Sequence, residues 1–115
     1  MADQPADEAA GEAAPGPRVV DRPERQRYEI LVGDEVGGFV DYHRHGSVVD
    51  LVHTEIDPRF EGRGLGSRLA QGAFDDLRAR GLSLIATCPF IHAYLERHPG
   101  QLDVVAPEHR SEFEP

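Results

Sequence analysis

The 115-residue chain contains no lysine and no tryptophan, one cysteine and one methionine. The missing lysine removes any P-loop reading, because that loop needs Gly-Lys-Ser/Thr against a nucleotide's phosphates. The single Cys88 excludes an intramolecular disulfide framework and a multi-cysteine zinc site. No apolar run approaches the ~18 residues of a membrane-spanning helix. Cations are scarce too: 12 arginines face 21 Asp and Glu, for a formal charge of -9. A general nucleic-acid binder would need a basic stripe, and none is present. Residues 1–17 (MADQPADEAAGEAAPGP) hold acids and prolines where a secretory signal has an apolar stretch behind basic residues. These absences point to a soluble, cytoplasmic protein with no nucleic-acid or membrane partner. They carry no signal for oligomeric state.

What is present suffices for one domain with a modest core, since 39% of the residues are hydrophobic. Residues 1–22 have almost no large apolar side chain to offset the entropy of ordering, and they read as a disordered tail. Residues 107–115 (PEHRSEFEP) read as a loose C-terminal tail, which leaves 23–106 as the folded domain. More than half of the net charge falls in the two ends, residues 1–26 and 107–115. Inside the domain, 28–32, 36–42 and 48–56 are strand-like runs rich in β-branched residues, separated by Gly33-Asp34 and Gly46. They predict an antiparallel meander, and the pair Gly37-Gly38 predicts a bulge or a close backbone approach.

After Pro58 the period changes. Leu65, Leu69 and Ala73, with Ala70, Phe74 and Leu77 beside them, mark one face of a helix that Gly81 ends. Residues 82–87 (LSLIAT) form a further strand, Pro89 opens a second helix, and Leu102–Val105 offers a last strand. The class is therefore α/β: a small mixed sheet, an antiparallel meander followed by β-α-β-α. The strand–helix–strand unit makes the third and fourth strands parallel neighbours.

The most informative stretch is Glu61-Gly62-Arg63-Gly64-Leu65-Gly66-Ser67, three alternating glycines between a strand and a helix. It reads either as a flexible connection or as a phosphate cradle built from backbone N–H groups at a helix N-terminus. A Rossmann fingerprint fails, because position 67 is Ser where a third glycine is needed. The next strand ends in Thr87-Cys88 with no acid for a ribose, and the strands before the loop are a meander.

With its glycine loop, His53-Thr54-Glu55 before it, and Cys88-Pro89-Phe90, Tyr94 and His98-Pro99 after it, the chain resembles the Gcn5-related N-acetyltransferases. The likeness is to their short, single-domain YjdJ-like branch and covers roughly residues 25–105. The resemblance implies an acetyl-CoA-dependent N-acetyltransferase that acetylates a primary amine on a small molecule or peptide. It places the coenzyme A pyrophosphate on Glu61, Gly62, Arg63, Gly64, Leu65, Gly66 and Ser67, with Arg63 and Arg68 supplying positive charge. The family pattern carries Gln or Arg where this chain has Glu61, and the strand-and-helices portion that shapes the acceptor pocket in longer members is shortened or missing. Those two departures favour an alternative, a coenzyme A-binding or protein-interaction module with little or no turnover.

Under the first reading the candidate catalytic residues are His53, Glu55, Cys88 and Tyr94. His53 and Glu55 are two apart, so both leave one face of their strand. A histidine titrates near neutrality and suits a base for an ammonium nucleophile, though a hydrogen-bonded structural histidine has the same appearance. Cys88, just before a helix start, either accepts the acetyl group transiently or lines the pocket. Tyr94 either protonates the departing thiolate, as in related acetyltransferases, or packs. His43, His45, His53, Cys88 and His92 do not make up a zinc ligand set, and no metal is expected.

Overall fold

The computed structural model describes residues 16–113, so the reading of residues 1–15 as disordered lies outside the described residues. Five strands form a single sheet: β1 (Arg18–Arg22), β2 (Arg27–Val32), β3 (Glu35–His45), β4 (Val48–Ile56) and β5 (Ser83–Ala86). They lie in sequence order. The first three pairings are antiparallel, and β4 runs parallel to β5. Parallel neighbours need a crossover, which is α1 (Leu65–Ala79); α2 (Pro89–Arg97) follows β5. The meander and the β-α-β-α order match the pattern of apolar residues along the chain.

The buried side chains of the strands, among them Tyr28, Ile30, Val40, Tyr42, Leu51 and Leu84, alternate onto one face of the sheet. There they meet Leu69, Ala73, Phe74 and Leu77 of α1 and Ile91 and Leu95 of α2. The other face carries no helix among the described residues. Gly37 is the extra residue of a bulge, since Ile30 pairs with Gly38 and Leu31 with Val36. Gly38 supplies the close approach, because a Cβ there would stand 2.7 Å from the Glu55 carbonyl oxygen.

Three expectations need correction. Residues 18–22, assigned above to the disordered tail, form edge strand β1, paired along its whole length with β2. Val19 packs against the core over Gly72 of α1. Asp21 accepts a 2.7 Å hydrogen bond from the Tyr42 hydroxyl and pairs with Arg80, which also reaches Asp76, the acceptor from Tyr28. Burial, and then these neighbouring carboxylates, push both tyrosines above their ordinary range. Leu102–Val105 is not a strand: Pro99–Val104 is a 3-10 turn, and a single bridge joins Val105 to Leu84. Residues 107–113 are not loose either. Pro107–Phe113 is 3-10 helical, with Phe113 against the core and its ring 4.4 Å from that of His92.

On the helix-free face Glu29 of β2 is almost completely buried beneath three guanidiniums. Arg22 and Arg25 donate to it at 3.2 Å and Arg27 at 2.8 Å. Burial alone would raise this carboxyl, but the hydrogen bonds from Arg27 and Arg22 and the charges of Arg27 and Arg25 outweigh it and hold it below its usual range.

Two stability outcomes follow from these contacts. Removing residues 1–22 takes β1 away and should lower Tm by roughly 10 °C, if the edge strand contributes about 2 kcal/mol at 4–8 °C per kcal/mol. An unchanged melting curve would contradict the docking of β1. Glu29 contributes stability that is complete above an ordinary carboxylate pKa of about 4.3 and is lost as pH falls through its lower folded value. Glu29→Gln should therefore cost roughly 1–3 kcal/mol in urea unfolding at pH 7, discounted for the partly exposed arginines. The deficit relative to the natural chain should shrink when both are unfolded at pH 3.

Candidate active site

The β4–β5 ladder is short. It pairs Val48–Leu51 with Ser83–Ala86 and closes with the Cys88 N–H donating to the Leu51 carbonyl at 2.8 Å. Beyond that point β4 continues to Ile56, while the other chain turns away into α2. The strands part, and among the described residues the far half of β4 has no strand partner on that side. At the same place β4 carries a bulge: Asp41 pairs with His53 and Tyr42 with Leu51, so Val52 is the extra residue. A bulge reverses the alternation of side chains after it. Leu51 faces the core, yet His53 and Glu55 lie on the helix-free face, beside Asp41 and Phe39 to which they pair. Thr54 faces inward, its hydroxyl 3.2 Å from the Cys88 sulfur.

The four candidate catalytic residues are thus divided between the two faces. His53 and Glu55 share the open face and are hydrogen-bonded, Nε2 to Oε2, at 2.8 Å, with more than half of each side chain exposed. A carboxylate can only accept, so a neutral His53 bonded to it carries its proton on Nε2 and leaves Nδ1 as the basic atom. Cys88 is buried at the N-cap of α2 with Thr54 as its polar neighbour. Tyr94 is buried between the helices, stacked on His98 at 4.1 Å and edge-on to Phe74 at 5.7 Å. Its hydroxyl donates to Gln71 of α1 at 3.4 Å.

The glycine loop follows β4 through a 3-10 turn, Pro58–Phe60, capped by Asp57, which accepts from the Arg59 N–H at 2.9 Å. Gly62 and Gly64 have φ of 82° and 74°, a left-handed backbone that side chains disfavour, and the space beside each is open. The first helical bond of α1 runs from the Arg68 N–H to the Gly64 carbonyl. The N–H groups of Leu65, Gly66 and Ser67 therefore have no helical partner, Gly64 offers no capping side chain, and the first turn has no acid. A helix start of this kind suits an anion. These groups border a cleft of about 330 Å³ that also includes Ile56, Phe60, Glu61 and Phe90. Arg63 and Arg68 flank an adjoining recess of about 280 Å³ and have no carboxylate partner among the described residues. Gly66 serves a different purpose from its neighbours, since a Cβ there would come within 2.7 Å of the Phe90 ring. It is the glycine of the α1–α2 approach.

Comparison with known proteins gives the family and the fold. Residues 27–104, from β2 past α2, match the family described as GCN5-related N-acetyl-transferase. Protein NATD1 of Xenopus tropicalis is 39% identical over 51 residues, which are 44% of this chain and 47% of that protein. Protein NATD1 of Mus musculus is 36% identical over 52 residues, 45% of this chain and 47% of the relative. The chain spans about half the length of the curated relatives it matches. The solution structure of a GCN5-like protein from Staphylococcus aureus superposes with a TM-score of 0.60 at 20% identity, covering 77% of this chain and 87% of that one. That likeness shows the fold.

The packing role of Gly66 is testable. Gly66→Val should overpack the α1–α2 contact and cost about 1–3 kcal/mol. Phe90→Ala in the same chain should recover part of the loss, read as a coupling energy from a double-mutant cycle of unfolding free energies. Strict additivity would show that Gly66 and Phe90 are not the contact that matters.

Proposed function

Because the chain belongs to the GCN5-related N-acetyl-transferase family, we propose that it is an acetyl-CoA-dependent N-acetyltransferase acting on a primary amine, with His53 as general base. The observation that carries this reading is the uncapped N-terminus of α1, set behind two left-handed glycines at the end of a strand that parts from its neighbour. The residues present fit the cofactor. The N–H groups of Leu65, Gly66 and Ser67 would receive the pyrophosphate, Gly62 and Gly64 leave it room, and Arg63 and Arg68 add positive charge. Glu61 opposes that charge but is exposed and well hydrated. Acetyl-CoA supplies the acetyl group in an activated thioester.

His53 acts on the amine. Its Nδ1 takes the proton that an ammonium must lose before its nitrogen can attack, and Glu55 holds the ring in the tautomer that frees Nδ1. Glu55 also stabilises the imidazolium once it forms. Cys88 and Thr54 line the inner side of the gap, and buried Cys88 is read as wall rather than nucleophile. Tyr94 could donate a proton only by giving up its bond to Gln71, which supports a role in holding α2 to α1.

Binding and turnover are tested together. Coenzyme A at about 100 times its Kd stabilises by roughly 2.7 kcal/mol. It should raise Tm by roughly 10 °C or more at 4–8 °C per kcal/mol, and NAD should not. Gly64→Val should weaken coenzyme A binding at least about tenfold. In an acetyl-CoA consumption assay with an amine panel, His53→Ala should remove most turnover and Cys88→Ser should keep most of it. Loss of several orders of magnitude with Cys88→Ser would instead indicate an acetyl-cysteine route. Binding without consumption above buffer would leave a coenzyme A-binding module.

A further inference from the structure

We propose that the helix-free face beside His53 is a subsite for an amine that also bears a carboxylate, its ammonium at Glu55 and its carboxylate on Arg27. The inference rests on the reading of His53 as the base, because it places the acceptor on that face. A recess of about 310 Å³ opens there, with Arg27, Phe39 and Glu55 among its walls. That volume suits a ligand of a few carbon atoms. Phe39 is the floor: the Arg27 guanidinium lies 4.4 Å from its ring centre and the His53 ring 6.3 Å. One small molecule lying across Phe39 would reach both.

The charges at the two ends are of opposite sign. At one end Glu55 is exposed, and between the ends Asp41 pairs across the ladder with His53 on one side and with Arg27 on the other. At the other end Arg22, Arg25 and Arg27 converge on the single carboxylate of Glu29, and with Asp41 paired beside Arg27 one positive charge remains in surplus. Asp57, also in the wall, shares Arg59 with Glu35, so two carboxylates meet one guanidinium and that corner adds negative charge on the Glu55 side. Arg27 is held from two sides, by Glu29 at 2.7 Å and by the Phe39 ring, so little side-chain entropy remains to be lost when it meets a ligand. A guanidinium fixed in this way favours a carboxylate, which it can grip through two parallel N–H donors. A chain with net charge -9 would attract any cation over much of its surface, so Glu55 alone says little. A fixed cationic cluster beside the proposed base is the feature that selects.

The test uses the full chain and calorimetric titration without coenzyme A. The probes are β-alanine, γ-aminobutyrate and 5-aminovalerate, each beside the alkylamine and the alkanoate of the same carbon count. At least one ω-amino acid should bind ten times more tightly than both of its counterparts. Arg27→Gln should bring that probe to the level of its alkylamine while coenzyme A affinity stays within twofold, and Arg27→Lys should fall between. The ranking in the natural chain needs no variant, so it decides the matter even if Arg27→Gln does not fold. No ω-amino acid exceeding its alkylamine, or a preference that survives Arg27→Gln, would overturn the proposal. If plain alkylamines and ω-amino acids are acetylated equally well, this subsite fails and the acetyltransferase stands. If the preference appears in binding but no acetyl transfer follows, the subsite stands and the acetyltransferase fails.

Discussion

One extra residue in β4 determines where the candidate catalytic side chains of this protein point. Without the bulge at Val52, His53 would continue the inward direction of Leu51 and sit in the core, and Thr54 would face solvent. With it, the histidine and Glu55 stand on the open face, while Thr54 meets Cys88 on the inner one. The bulge lies where the β5 ladder ends, so the change of face and the parting of the strands occur at one point. A strand that is paired on one side only, with reactive groups on one face and a thiol on the other, gives two approaches to one gap. Under the proposed function, that arrangement lets a thioester and an amine meet without either crossing the core.

The candidate cradle at the start of α1 is positioned from both ends of the helix. At its first turn Gly66 lets α1 approach the Phe90 ring, and at its last turn Arg80 ties Asp76 to Asp21 of β1. Tyr28 and Tyr42 bond the same two carboxylates from the core side of the sheet. An edge strand of five residues thereby becomes part of what holds the helix. The open face uses the reverse device, with three cations around one buried anion. A single carboxylate in the sheet surface fixes several long side chains that would otherwise move freely.

Most of the elements were legible because their apolar residues repeat at the period of their own structure. Val48–Ile56 and the α1 face Leu65, Leu69, Ala73 need no distant partner to be recognised, and the glycine loop is marked by its own composition. β1 was not legible. Arg18-Val19-Val20-Asp21-Arg22 has two apolar residues and follows an acidic, proline-containing stretch, and beyond its ladder with β2 it is held by contacts with Gly72 and Arg80, more than fifty positions away. Leu102–Val105 failed in the opposite direction, since its apolar content suits a strand but a single bridge to Leu84 is all the sheet accepts.

Within the site, loop and strand differ for the same reason. A loop that needs left-handed backbone advertises it through glycine, so Gly62 and Gly64 could be named from composition. The bulge at Gly37 is likewise signalled by the glycine pair, whereas the bulge at Val52 falls on a β-branched residue with no glycine or proline beside it. Only the pairing with β3 sets it, through Tyr42 opposite Leu51 and Asp41 opposite His53. The identity of the candidate residues on β4 was therefore readable from their chemistry, but the face they occupy was not, because one unmarked residue is enough to invert it. The division of His53 and Glu55 from Cys88 and Tyr94 is a property of strand pairing, and strand pairing leaves no local mark at the position where it slips.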